Sequence, residues 1–250
     1  MIERVRRLAA ILVPTLLILL LASAAMRPAH AANLQISPVS ISLRANQTAA
    51  GVTLQNFGDK PLHGQVRVFV WDQKNGEDVL TPTNDVVASP PIMEVAPGTT
   101  QTVRLVRRNA APGAQEQTYR ILIDEIPSAD AAASGVAIRL QYSVPVFVLP
   151  AQDSAAPRLA WSLKKLDAAW FLEARNDGAL HAQVGATTLR GANGNGKEFV
   201  LGKGLLGYAL PGRTRRWRLP DGATALAAAG QVTVHTTVNA QAVQAAAGQD

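Results

Sequence analysis

The chain has 250 residues, no cysteine, 17 % charged residues and a formal net charge of +6. Disulfides, thiol nucleophiles and thiolate metal sites are therefore excluded. Half of the positive balance sits in the first 31 residues, on Arg4, Arg6, Arg7 and Arg27 against Glu3, and the +3 left beyond them is too weak to point to nucleic acid.

Residues 1–31 read as a secretory signal. A basic start is followed by an apolar run over residues 8–25, and Ala29-His30-Ala31 has the small-x-small form that precedes a cleavage point. A retained anchor is the competing reading, but the run is only marginally long enough to span a bilayer and is broken by Pro14, Thr15 and Ser23. The expectation is cleavage after Ala31, export across the membrane and no stable membrane association.

From there the sequence alternates like short strands between turns. Residues 34–43 (LQISPVSISL), 52–55, and 62–71 (LHGQVRVFVW) are strands. Residues 72–76 (DQKNG) form a hairpin turn, 80–87 look irregular, and 88–91 (ASPP) are extended because proline fixes its own φ and biases its predecessor. Strands at 92–95, 102–107 and 116–126 are separated by the turn 96–98 (APG) and a loop at 112–113. A small-residue loop over 127–135 leads into the longest strand. About seven strands in this stretch match an immunoglobulin-like sandwich.

Residues 151–157 (AQDSAAP) read as a linker between a first domain, 32–150, and a second, 158–246. Further strands are predicted at 159–163, 170–174, 182–189, 198–201, 215–219 and 231–238. The Ala-rich pieces at 223–229 and 240–247 lack good helix caps, and the tail from 240 is expected to fray. One pattern recurs: Asn56-x-Gly58 followed by Leu62-His63, and Asn176-x-Gly178 followed by Leu180-His181. It reads as one hairpin used in two related sandwiches, although Asn and Gly are also the commonest turn residues.

The longest strand, residues 135–150 (GVAIRLQYSVPVFVLP), has apolar side chains at every second position from Val136 to Val148. Fully extended it would span about 43 Å, roughly twice an ordinary strand. Pro145 cannot donate to a ladder, which argues for an edge or a change of partner there. Such an edge either belongs to an ordinary core strand or lends its hydrogen bonds and alternate side chains, Val136, Ile138, Leu140 and Tyr142, to another protein.

Catalytic chemistry has little to work with. No Ser-His-Asp signature, His-x-x-x-His spacing or phosphate loop is present, and Asp124 and Glu125 point to opposite faces of one strand. No catalytic residue, metal or cofactor is expected, and a hydrolase is disfavoured. Arg104, Arg107, Arg108, Arg120 and Arg139 lie on or beside strands, where a guanidinium can grip a carboxylate through two hydrogen bonds. Solvated faces or internal pairs with Asp124 or Glu125 suit Arg107 and Arg108 better. Arg120, between apolar neighbours, needs a partner.

Taken together, residues 36–38 (ISP), 54–58 (LQNFG), 66–71, 88–92 (ASPPI), 96–98, 103–105, 116–120 (EQTYR), 124–127 (DEIP) and 142–147 (YSVPVF) resemble the periplasmic chaperones of chaperone–usher pilus assembly. The archaic branch, which serves spore-coat-U-like subunits, is most similar. The resemblance implies an all-β protein of two immunoglobulin-like sandwiches in an L or boomerang arrangement. It also implies a donor strand lent to an incomplete pilus subunit, and delivery to an outer-membrane usher. In the better-known branch an Arg and a Lys anchor the subunit's terminal carboxylate. The matching positions here are Ser40 and Pro145, so the resemblance moves the anchor to Arg120 or Arg139. It also makes Glu125 a structural carboxylate whose usual basic partner position holds Leu149. A periplasmic immunoglobulin-like module binding a glycan or a structural protein is the alternative.

Overall fold

The computed structural model describes residues 34–109, 111, 113–126, 139–152, 155–191, 198–228, 230 and 232–249. The signal-like segment, Val136, Ile138 and all of the loop predicted over 127–135 lie outside them. The fold is all-β and two-domain. In the first domain the strands are β1 (Leu34–Ser37), β2 (Ile41–Leu43), β3 (Ala49–Asn56), β4 (Leu62–Lys74), β5 (Glu77–Pro82), β6 (Val86–Ser89), β7 (Ile92–Val95), β8 (Thr100–Arg107), β9 (Gln117–Ile126) and β10 (Gln141–Val148). One sheet has the order β1-β3-β8-β6, and the other β2-β10-β9-β4-β5 with β7 on β4.

Period-two patterning explains the core. Val52, Leu54, Val103 and Leu105 from one sheet meet Val66, Ile121, Ile123, Val144 and Val146 from the other, all nearly fully buried. Each such side chain stabilises the fold by roughly 1.5–3 kcal/mol. The stretch expected to be irregular, 80–87, instead holds the end of β5 and the start of β6. Among the described strands β5 pairs only with β4, so its terminal Pro82 is tolerated at an edge.

The second domain contains β11 (Leu159–Leu166), β12 (Ala169–Asn176), β13 (Ala182–Gly191), β14 (Phe199–Gly202), β15 (Gly207–Ala209), β16 (Arg213–Arg218), a short helix Thr224–Ala228, β17 (Val232–Val238) and β18 (Gln241–Gln249). Its strands run β14-β13-β17-β18-β11-β12-β16, with β15 on β13, around a core of Trp161, Leu163, Leu172, Val184, Leu189 and Val234. The tail is not frayed. β18 pairs antiparallel with all of β17 and parallel with β11, and it runs past the expected domain limit at 246. The two strands are joined by Asn239 and Ala240, both at positive φ, the geometry of a two-residue hairpin. Asn-Ala carries a weaker turn signal than Asn-Gly, and the Ala-rich strand shows no apolar alternation, which hid it.

The repeated hairpin is the same device in both domains. Asn56 and Asn176 are almost fully buried. Each Nδ2 donates to the carbonyl four residues on (Lys60, Leu180) at 2.8 Å and to a distant carbonyl (Val95, Ala209) at 2.9 Å. Each Oδ1 accepts the N–H of the following Gly58 or Gly178 at 2.9 Å. The main-chain carbonyls of the two asparagines accept from Gly98 and Gly212, both at φ +67 in Pro-Gly turns.

The domains are locked edge to face. Gln73 Nε2 donates to the Tyr208 carbonyl at 2.7 Å, and Leu210 N–H donates back to Gln73 Oε1 at 3.0 Å. Trp71, Phe147, Tyr208 and Leu210 form a small core between the domains. His181 stacks on Phe147 at 3.6 Å, and its main-chain N–H donates to the buried Glu116 carboxylate at 2.7 Å. The tip of the β4–β5 hairpin lies along the outer edge of β16. Arg216 N–H donates to the Gly76 carbonyl, Arg215 pairs with Glu77, and Arg213 pairs with Asp72. An exposed strand edge is thereby covered by the neighbouring domain.

Candidate functional site

The long strand changes partners along its length. β9 pairs with all of β10, from Gln141 to Val148. On the other side β2 covers only Val146–Val148, in parallel. Gln141–Pro145 therefore presents an outer edge with no strand partner among the described residues. β1 and β2 explain the gap, because the chain crosses from one sheet to the other between Ser37 and Ile41. Pro145 stands at the change of pairing.

The two faces of β10 do different things. Val144, Val146 and Val148 fill the first domain's core. Tyr142 is half-buried against that core, and its hydroxyl donates to the Leu34 carbonyl at 3.3 Å. Burial, then the charge of Glu125, push its phenol above its usual value. Leu140 is half-buried where the strand begins. On the other face Phe147 packs into the domain junction and Pro145 lines a cleft.

That cleft has a volume of about 380 Å³ and is walled by both domains. Ser40, Arg120, Ser143 and Pro145 come from the first domain, and Leu205, Tyr208 and Arg215 from the second. Ser40 and Pro145, the two positions that the resemblance equates with a missing anchor, thus share one cleft with Arg120. The Arg120 guanidinium lies 3.8 Å from the Trp71 ring centroid, and its Nη1 donates to Ser143 Oγ at 3.0 Å. Burial pulls its pKa below the ordinary arginine value, and Asp78 and Tyr208 act in the opposite direction. A guanidinium remains charged at neutral pH even so. A half-buried cation whose one side-chain hydrogen bond among the described residues goes to a neutral hydroxyl suits an incoming carboxylate.

The other candidates fall elsewhere. Arg139 is exposed and does not line the cleft. Arg107 is buried and donates to the carbonyls of Ala45 and Gln47 at 2.9 and 3.0 Å, so it braces a turn rather than resting on a solvated face. Asp124 pairs with Arg67 at 2.8 Å. Glu125 has no ion pair among the described residues. Its Oε2 accepts Leu140 N–H at 3.4 Å while its own N–H donates to the Leu140 carbonyl at 3.2 Å, which pins the start of β10. Leu149 uses its N–H on Leu43. Among the described residues no three His, Asp or Glu side chains are placed to hold a metal ion.

Trp71, Asp78, Ser143, Tyr208 and Arg215 were not singled out from sequence. Only Ser143 carried a signal, since it shares the period-two face of Pro145 and Phe147. The others depend on contacts between segments far apart in the chain.

Residues 33–153 match the family described as pili and flagellar-assembly chaperone, PapD N-terminal domain. No curated protein sequence matches the chain significantly. Among solved structures, the CsuC–CsuE chaperone–tip subunit pre-assembly complex of archaic Csu pili from Acinetobacter baumannii contains a similar chain. It is 24 % identical, with coverage of 88 % of this chain and 100 % of that one at a TM-score of 0.68. The CupB2 chaperone of Pseudomonas aeruginosa is 16 % identical, over 86 % and 100 %, at 0.57. The complex of Salmonella enterica SafA pilin with the SafB chaperone gives 13 %, over 88 % and 97 %, at 0.59. Residues 33–153, the first domain, thus carry the match to the pili and flagellar-assembly chaperone model, PapD N-terminal domain, and the chain as a whole has the two-domain fold of these solved chaperone structures.

Proposed function

We propose that this protein is a periplasmic chaperone that captures pilus subunits through the free edge of β10 and hands them to an outer-membrane usher. The observation that carries the reading is the juxtaposition of that edge with the cleft that holds the Arg120 guanidinium. An extended guest strand would pair with the main chain ahead of Pro145, taking its register from the backbone. Its terminal carboxylate would be gripped by Arg120. Leu140, with Val136 and Ile138 ahead of it in the alternation, would supply aliphatic side chains to the guest's open groove, and Tyr142 would close that row at the chaperone's own core. The likeness to the Csu structure supports an archaic-type guest.

The mechanism needs no nucleotide or cofactor. A subunit lacking one strand borrows one and gives it up when a better-fitting strand arrives. The test is periplasmic co-expression with a candidate subunit, followed by co-purification. Leu140→Asp and Arg120→Ala are expected to stay folded by circular dichroism and to lose the subunit. Undiminished capture by both would overturn the reading.

A further inference from the structure

The cleft proposed to receive the carboxylate already holds a carboxylate of its own, Asp78. Arg215 is committed: its Nη1 donates to Glu77 Oε2 at 2.9 Å and to the Gly76 carbonyl at 3.0 Å. Asp78 lies 3.9 Å from the same nitrogen and lines the cleft with Arg120 and Arg215. It is held there by two donors, Trp71 Nε1 at 3.1 Å and Gln73 Nε2 at 2.9 Å. The same Trp71 ring carries the Arg120 guanidinium on its face. Counting Glu77, which pairs with Arg215 from outside the cleft lining, two arginines are matched by two carboxylates before any guest arrives. Asp78 is the carboxylate left over once Glu77 has satisfied Arg215.

We propose that Asp78 is a built-in competitor for the Arg120 guanidinium, which keeps the grip on a guest's terminal carboxylate weak enough to be released. The inference rests on the carboxylate-anchor reading above. It also sets specificity. A guest ending in an uncharged side chain brings one negative charge into a neutral cleft. A guest ending in Glu or Asp brings two and is disfavoured. The apolar wall of Val39 and Leu205 suits the uncharged end as well.

The probe is a fluorescein-labelled octapeptide of alternating Thr and Val with a free C-terminal carboxylate, together with its C-amidated twin, measured by anisotropy at low salt. Asp78→Asn keeps an oxygen for Trp71 and Gln73 but removes the charge. Removing one nearby unit charge in a half-solvated cleft is worth about tenfold in affinity. The expected result is that Asp78→Asn binds the free acid about tenfold more tightly and the amide unchanged, with the gain shrinking in high salt. Asp59→Asn, at an exposed position outside the cleft, is expected to change neither.

A second measurement needs no variant. The wild-type protein is expected to bind a peptide ending in Gln more tightly than one ending in Glu. Equal gains for acid and amide in Asp78→Asn, no gain at all, or a wild-type preference for the Glu ending would each overturn the proposal. Loss of acid-over-amide discrimination in the wild type would instead overturn the anchor reading on which it rests.

Discussion

The Arg120 guanidinium sits 3.8 Å from the centroid of the Trp71 ring, and it is the ring that decides where the charge points. Trp71 is 1 % exposed, and its indole N–H is tied to Asp78. The platform therefore cannot swing, and the cation above it is positioned before any guest binds. Stacking of this kind is worth roughly 0.5–2 kcal/mol, and a lysine does not reproduce the planar fork. Arg120→Lys is expected to leave the melting temperature within about 2 °C. It should weaken binding of a free-acid peptide about tenfold and leave the amide unaffected. Titration of the two peptides against wild type and variant checks this.

The junction between the domains is a separate matter from the grip. Gln73 satisfies one main-chain carbonyl and one main-chain N–H of the second domain with a single amide. Gln73→Leu keeps much of the volume but strands both groups, at roughly 1–3 kcal/mol each. Phe147→Ala removes the ring that His181 stacks on and that Trp71 and Tyr208 pack against, a loss of about 3–5 kcal/mol for a buried aromatic. Both variants are expected to keep their strand content while the domains become mobile relative to each other. Faster protease cleavage between the two sandwiches and a broadened small-angle scattering profile are the readouts.

How much of this could be read from the chain depended on whether the information was local. The alternation in β4, β9 and the far half of β10 is local, and those strands lie where the pattern puts them. The Asn-x-Gly repeat is local too, but its second half was visible in one copy only. Residues 96–98 read as a turn, whereas 210–212, which carry the same Pro-Gly pair, were given no element. The β17–β18 hairpin carried the right geometry on the wrong residues, Asn-Ala in place of Asn-Gly. Arg120 showed itself as a charge among apolar neighbours. Its surroundings did not, since Trp71, Ser143 and Tyr208 are brought together by register and by domain docking. Arg107 is the converse case. It resembled a surface cation and is a buried brace for the 45–47 turn, a role set by two carbonyls that no side-chain pattern records.

The twin asparagines give a prediction that separates the domains. Asn176→Asp keeps the oxygen that Gly178 N–H and Arg158 N–H donate to. It replaces the amide nitrogen with an oxygen facing the carbonyls of Leu180 and Ala209. Two buried acceptors then lose their donor and meet a like dipole, at a cost of about 2–4 kcal/mol. Asn56→Asp does the same at Lys60 and Val95. Hydrogen exchange is expected to rise first in the second domain for Asn176→Asp and first in the first domain for Asn56→Asp. Simultaneous loosening of both domains in either variant would mean that the sandwiches do not open as separate units.

The hairpin tip on β16 is the acid-sensitive part of the junction. Burial works to raise the Asp72 carboxyl, but the Arg213 hydrogen bond, the Gln73 N–H and the charges of Arg213 and Lys74 outweigh it and hold the pKa below its ordinary 3.8. A carboxyl with a lowered folded-state pKa adds stability above its unfolded value and loses it as the pH falls through the folded one. The Asp72–Arg213 contribution is therefore fully present at neutral pH and is lost progressively as the pH falls below about 4 and on through the lowered folded-state pKa. A partly exposed pair of this kind is worth about 1 kcal/mol at most. Asp72→Asn is expected to be less stable than wild type by about that amount at pH 7, with the gap closing as the pH falls from 5 to 3. Urea midpoints of the two proteins across that range measure it. A gap that stayed constant with pH would show that the ionised form of Asp72 contributes nothing at the junction.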